Sequence, residues 1–242
     1  MKNMKKIHAK GHFEYMKFDA RREGYYEGLR QIKKLDYSFI DLIEHYPAFV
    51  GHMTLSRFIG LYELYKMVGG VAGHIAEVGS YKGASLLHFA KLVQIFESES
   101  LTQVHGFDWF KGMLKDEIET FVEEGSYLES FERLMKLIEV QGLQNFTFLH
   151  KMDVTKELQP FLNDNVHLQF KLVFLDAGMY NVVKAVLPLL WERLTPGGIL
   201  ILDQYNHELS PGETKAVREF LPKARVRTLP NIWMPSAYII KE

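Results

Sequence analysis

The 242-residue chain contains no cysteine, and that absence removes disulfides, thiolate metal sites and cysteine nucleophiles together. It fits a reducing compartment, so a cytoplasmic location is the expectation. Charge of one sign is not in excess either. The 29 Lys and Arg stand against 30 Asp and Glu, a formal charge of -1, so no global basic field argues for nucleic acid as a partner. No apolar run approaches the roughly 18 to 20 residues of a membrane helix, and no apolar stretch of signal-peptide length follows the basic start, MKNMKKIHAKGH. These absences predict a soluble protein with no membrane partner and a loose leading dozen residues. Internal repeats and low-complexity segments are missing too. What remains is ordinary globular composition, 47% hydrophobic and 24% charged, in a chain long enough for one large α/β domain.

Between residues 23 and 45, Leu29, Ile32, Leu35, Phe39, Ile40 and Ile43 recur at helical spacing, with Pro47 as the closing signal. A second helix is predicted from Thr54, as N-cap, to Met67, ended by Gly69 and Gly70. Residues 1–69 therefore read as a tail and helical extension, a lid or a subunit contact. Its Tyr25, Tyr26, Tyr37 and Phe39 either line a ligand pocket or pack. From residue 70 to 242 the pattern changes. Five short apolar runs (HIAEV, TQVHGF, FTFLH, KLVFLD and GILILD) alternate with helices predicted at 84–96, 117–140, 156–162 and 180–193. That alternation is the mark of a doubly wound α/β fold with a parallel sheet covered on both faces. A further helix, GETKAVREFLP, precedes RVRTLP and SAYIIKE, predicted as a terminal hairpin whose last strand runs antiparallel. The sheet would then have seven strands.

Ligands of open α/β sheets bind outside the carboxyl ends of the strands, and five acids stand there: Glu77, Asp108, Asp153, Asp176 and Asp203. One such acid alone is commonly a helix cap; five together mark a site. In HIAEVGSYKGAS, Tyr81 occupies the middle position of the dinucleotide fingerprint, and Gly79 and Gly83 are spaced G-x-x-x-G. With Glu77 beside the turn, a phosphate would be repelled. A ligand with a cationic end and no phosphate fits, and S-adenosylmethionine has both properties.

AEVGSYKGAS resembles the first motif of class I S-adenosylmethionine-dependent methyltransferases, and is similar to the catechol O-methyltransferase pattern at Gly79, Tyr81 and Ser85. GFDWFKGM, and the stretch from VFLDAGMY to AVREF, resemble segments of the macrocin O-methyltransferase family, the macrolide-sugar methyltransferases. The resemblance implies a Rossmann-like methyltransferase sheet. It implies that Glu77, Gly79, Ser80, Tyr81, Gly83 and Ser85 hold the methionine part of the cofactor, and Asp108 its ribose hydroxyls. Trp109 or Phe110 would lie on the adenine, with Asp153 and Val154 at its edge. It places Mg2+ on Asp176, Asp203 and Gln204, with Asp176 at the reacting centre, also beside the cofactor. The acceptor would be a small molecule, a saccharide or polyol, and relatives are often dimers or larger.

The chain departs from that family at three points. Gly178 replaces the second acid of D-x-D-x-Y, Met179 stands where the catechol enzymes have a lysine, and Gln204 stands where Asp or Asn is usual. His207, just past the fifth strand, is therefore a candidate general base. An acceptor needing no strong base, or cofactor binding without transfer, are the alternatives. A dehydrogenase of the same sheet class is the rival from another class.

Overall fold

The apolar runs form one sheet, and the amphipathic stretches between them cover its faces. The computed structural model describes residues 19–115, 118–119, 123–207, 210–230 and 232–242. The element order is α1 (Asp19–Lys34), α2 (Phe39–Glu44), α3 (Tyr46–Phe49), α4 (His52–Met67), β1 (His74–Val78), α5 (Ala84–Phe96), β2 (Val104–Asp108), α6 (Phe131–Val140), β3 (Thr147–Lys151), α7 (Val154–Asp164), β4 (Phe170–Leu175), α8 (Tyr180–Arg193), β5 (Leu194–Leu202), α9 (Pro211–Phe220) and β6 (Ala237–Ile240). The strands lie in the order β3-β2-β1-β4-β5-β6, all parallel except β6, which pairs antiparallel with β5. The chain reverses its direction of winding between β1 and β4, so the crevice of such a sheet opens beyond Val78 and Leu175.

Alternation along the strands sorts side chains into two cores. On one face Ile75 and Phe174 pack with Leu61, Leu64, Leu86 and Phe89 of α4 and α5. On the other, Ala76, Val78 and Val173 pack with Val183, Leu187 and Leu190 of α8. Glu77 shares the parity of Ile75, so it points toward the α4–α5 layer. Within the extension α4 is part of the main core, because it buries Leu61, Leu64 and Tyr65 against the sheet, whereas α2 and α3 bury no residue.

Several expectations need correction. The sheet has six strands among the described residues: the RVRTLP segment contributes only an isolated antiparallel bridge, Arg227 to Tyr238, since β-propensity there has no partner beyond that one residue pair. The long first helix breaks at Leu35–Ser38, where Asp36 takes φ +53° and Ser38 caps α2. Pro47 starts α3 rather than ending a helix. Gly51, not Thr54, is the N-cap of α4; the Thr54 hydroxyl instead lies 3.1 Å from that of Tyr25. Of the helix expected at 117–140, α6 covers 131–140, while residues 116–117 and 120–122 lie outside the described set, as do the leading residues expected to be loose. Among the described residues no helix is long and apolar enough to cross a membrane.

Leu61 joins α4 to the sheet with no exposed surface. Leu61→Ala should lower the unfolding free energy by about 2 to 5 kcal/mol, read from urea denaturation; a change under about 1 kcal/mol would mean that α4 contributes little to the core.

Candidate active site

At the end of β1 the chain turns at once. Gly79 takes φ +93°, and a Cβ there would lie 2.5 Å from the Asp176 carbonyl oxygen, so only glycine lets the ends of β1 and β4 approach this closely. Tyr81 at φ +45° and Gly83 at φ +76°, the N-cap of α5, complete the turn. Over it opens a cavity of about 590 Å³, within the range of small-molecule sites.

The structure brings most of the expected residues to this cavity. Gly79, Ser80, Tyr81, Ser85, Asp108, Trp109, Asp153, Val154, Asp176, Asp203 and Gln204 all line it. Asp108 is fixed by two amides: Oδ2 accepts from the Tyr81 N–H at 2.9 Å and Oδ1 from the Phe110 N–H at 2.7 Å. Each oxygen keeps a lone pair for a ligand hydroxyl. The Trp109 ring is held by its Nε1–H, which donates to the Gly112 carbonyl at 2.7 Å. Phe110 turns inward against Phe131, so of this pair only Trp109 lines the cavity. Asp153 caps α7 and also pairs with Lys156 at 2.6 Å.

Glu77 lies beneath the turn, fully buried and behind the cavity wall. Neither of its carboxylate oxygens has a hydrogen-bond partner at ordinary distance. Burial pushes its pKa up to about 7, and the Ser85 and Ser80 hydroxyls and the Arg57 charge offset this only in part. An orphaned buried carboxylate under a glycine-softened turn suits a ligand with a cationic end, so the residues present fit S-adenosylmethionine.

At the other end of the cavity, α4 contributes a residue that sequence reasoning missed. Arg57 reaches the strand ends and donates from Nη1 to Asp203 Oδ1 at 2.5 Å and from Nη2 to Asp176 Oδ2 at 2.7 Å. Its guanidinium lies 5.4 Å from the centre of the Phe174 ring. Burial opposes the charge, but the Asp203 and Asp176 carboxylates more than offset it, and Arg57 stays protonated. For Asp176, burial and the neighbouring Asp203 charge raise the pKa well above the usual carboxylate range, with Arg57 pulling the other way. About a fifth of its side chain, 22%, remains open. One signal could have found Arg57: with Met53, Leu61 and Leu64 it occupies a single helical stripe, and an arginine on a buried stripe needs an anionic partner.

Magnesium was expected on Asp176, Asp203 and Gln204, and the residues do not fit it as they stand. Arg57 occupies the space between the two acids. Gln204 donates from Nε2 to Asp203 Oδ2 at 2.7 Å, so a second oxygen of that carboxylate is already engaged. Among the described residues no group of three or more His, Asp or Glu side chains could hold a metal ion. His207 faces elsewhere, in a shallow depression with Asn206, Lys215 and Glu219. Tyr25, Tyr26, Tyr37 and Phe39 do not line the cavity; Met53, Thr54 and Phe58 of α4 do, together with Met113, Tyr127, Trp233 and Met234.

A family model described as a methyltransferase domain matches residues 76–205, more than half of the chain. The chain belongs to this methyltransferase family. Its fold is similar to that of CalS11, a calicheamicin methyltransferase, with a TM-score of 0.81 and 24% identity over 89% of this chain and 91% of that one. A second structure, of apo CalS11, described as a TDP-rhamnose 3'-O-methyltransferase of calicheamicin biosynthesis, matches with a TM-score of 0.73 and 26% identity over 89% and 93%. The O-methyltransferase NovP matches with 0.62 and 16% over 77% and 80%. No curated protein sequence matches significantly. The class I S-adenosylmethionine-dependent methyltransferase expected from the motifs is what the family and these folds support.

Glu77 gives this methyltransferase a pH signature. Its folded pKa of about 7 exceeds the reference 4.5, so between those values the folded state holds a proton that the unfolded chain releases. Stability from this group is complete below about 4.5 and is lost as pH rises to about 7, on the order of 3 kcal/mol in the ligand-free protein. Glu77→Gln should therefore grow more stable relative to wild type between pH 5 and pH 8 by urea denaturation, and a pH-independent difference would show that Glu77 is not held neutral.

Proposed function

We propose that this methyltransferase transfers methyl to a hydroxyl oxygen of a saccharide or sugar-bearing small molecule. The observation that carries the reading is the arrangement of one cavity: a buried carboxylate under the turn at one end, and a partly open acid, Asp176, held by Arg57 at the other. The relative described as a TDP-rhamnose 3'-O-methyltransferase supports a sugar hydroxyl as acceptor.

In this reading Glu77 supplies the countercharge for an ammonium, acting through the Ser80–Ser85 turn. Asp108 accepts from two ribose hydroxyls, and Trp109 and Asp153 meet the adenine face and edge. Bound there, S-adenosylmethionine provides an electrophilic methyl. The acceptor oxygen forms the new bond to that carbon while the carbon–sulfur pair stays on sulfur. Asp176 takes the hydroxyl proton, since its raised pKa brings it toward the range where a carboxylate is an effective base. The α4 wall, Met53 to Phe58, limits water at this end, and holding both reactants in one cavity contributes much of the rate.

Thermal unfolding should shift upward with S-adenosylhomocysteine and not with NADPH; the opposite pattern would favour a dehydrogenase. Asp176→Asn should lower kcat on a responsive sugar by roughly 10²- to 10⁴-fold, whereas His207→Ala should stay near wild type. In the wild type, kcat should fall as pH drops through the raised pKa of Asp176, because the protonated acid cannot accept. A His207→Ala loss equal to that of Asp176→Asn would return the base role to His207.

A further inference from the structure

Two residues that depart from the family pattern and one that α4 adds all change the charge at the acceptor end in the same direction. Gly178 and Gln204 leave Asp176 and Asp203 as the acids of those two motifs. The two departures are also sterically linked: at Gly178, φ +63°, a Cβ would lie 3.0 Å from Gln204 Oε1 and 2.9 Å from Ser210 Oγ. A side chain at position 178 would require the Gln204 amide and the Ser210 hydroxyl to shift. Into this less anionic site Arg57 brings a permanent positive charge, with one nitrogen on each remaining carboxylate.

We propose that Arg57 is the resident cation of this site, holding Asp176 and Asp203 in place of a divalent ion, so that methyl transfer proceeds without bound metal. The proposal rests on the O-methyltransferase reading above. A guanidinium suits the task because its planar fork spans two carboxylates with directional N–H bonds. It meets one oxygen of each carboxylate, Asp203 Oδ1 and Asp176 Oδ2, and a dication added beside it would face its charge across a short distance. Arg57 also lines the cavity, and a guanidinium carries five N–H donors, enough to orient an acceptor hydroxyl toward Asp176 after both acids are paired. A single charge lowers a hydroxyl pKa less than a dication does, which places the proton transfer on Asp176.

The test titrates Mn2+ against wild-type protein, Arg57→Lys and Arg57→Met, read by electron paramagnetic resonance, with S-adenosylhomocysteine binding by calorimetry as the folding control. Wild type and Arg57→Lys, which keeps the charge, should leave Mn2+ free. Arg57→Met should bind it at least about tenfold more tightly, a gain that a purely structural role for Arg57 does not predict. Methyl transfer by wild type should survive EDTA unchanged. Stoichiometric Mn2+ on wild type, or turnover lost to EDTA and restored by Mg2+, overturns the proposal. If Arg57→Met fails to fold, the wild-type titration decides alone. Failure to bind S-adenosylhomocysteine would instead strike the functional reading, because the Mn2+ result does not depend on an acceptor.

Discussion

The double ion pair that Arg57 makes with Asp176 and Asp203 ties α4 to the ends of β4 and β5, and the shape of the cavity depends on it. Asp176 stands in an apolar setting beside the Asp203 and Glu77 charges, and burial together with both of them makes it harder to ionise. Taking charges out of water is costly, and removing one partner of a buried pair typically costs about 3 to 5 kcal/mol because the other is left uncompensated. Arg57 resolves that conflict, and it does so from an element outside the alternating strands and helices. Its placement follows from packing: Leu61 and Leu64, one and two turns further along α4, anchor the helix against β1, β4 and α5. Apolar burial thus sets the position of the charge.

Backbone geometry is the second constraint. The close approach of Gly79 to the Asp176 carbonyl brings the ends of β1 and β4 together, and the Gly79 N–H donates back to Phe107 of β2 at 2.9 Å. In register, Glu77 lies opposite Phe174 on β4 and Gly106 on β2. The acid is therefore flanked by an aromatic and a residue without a side chain, neither of which can hydrogen-bond to it. Its unpaired state is a consequence of where the strand places it.

Much of this was legible locally. Short apolar runs flanked by turns located β1 to β5, and the helical stretches between them placed α5 at 84–96 and α8 at 180–193 as found. Elements whose ends depend on one unusual backbone angle were misread, as at Asp36, and so was the strand whose pairing reduces to the Arg227–Tyr238 bridge. The cofactor end could be read because its residues cluster in one turn. The acceptor end could not, because Arg57 meets Asp176 and Asp203 across 119 and 146 residues of chain. Periodicity says that an arginine faces inward, but not which carboxylates it will meet.

Capping and ligand binding, set against each other when single acids are read from sequence, turn out to be compatible at two of the five strand-end positions. Asp153 caps α7 and lines the cavity, and Asp108 accepts two backbone amides while keeping lone pairs toward it. An acceptor already fixed by amides loses little side-chain freedom when a ligand hydroxyl arrives, so the local role prepares the functional one. At Glu77 the Ser80 and Ser85 hydroxyls and the Arg57 charge offset burial only in part, and its charged form becomes favourable when a further positive charge comes near. The cavity therefore has a built-in polarity: rigid neutral-donor recognition at Asp108, charge-dependent recognition above Glu77, and a permanently compensated acid pair at Arg57. A ligand with hydroxyls in its middle and a cation at one end can satisfy the first two while leaving the third to a different molecule, and that division is what a two-substrate transfer requires.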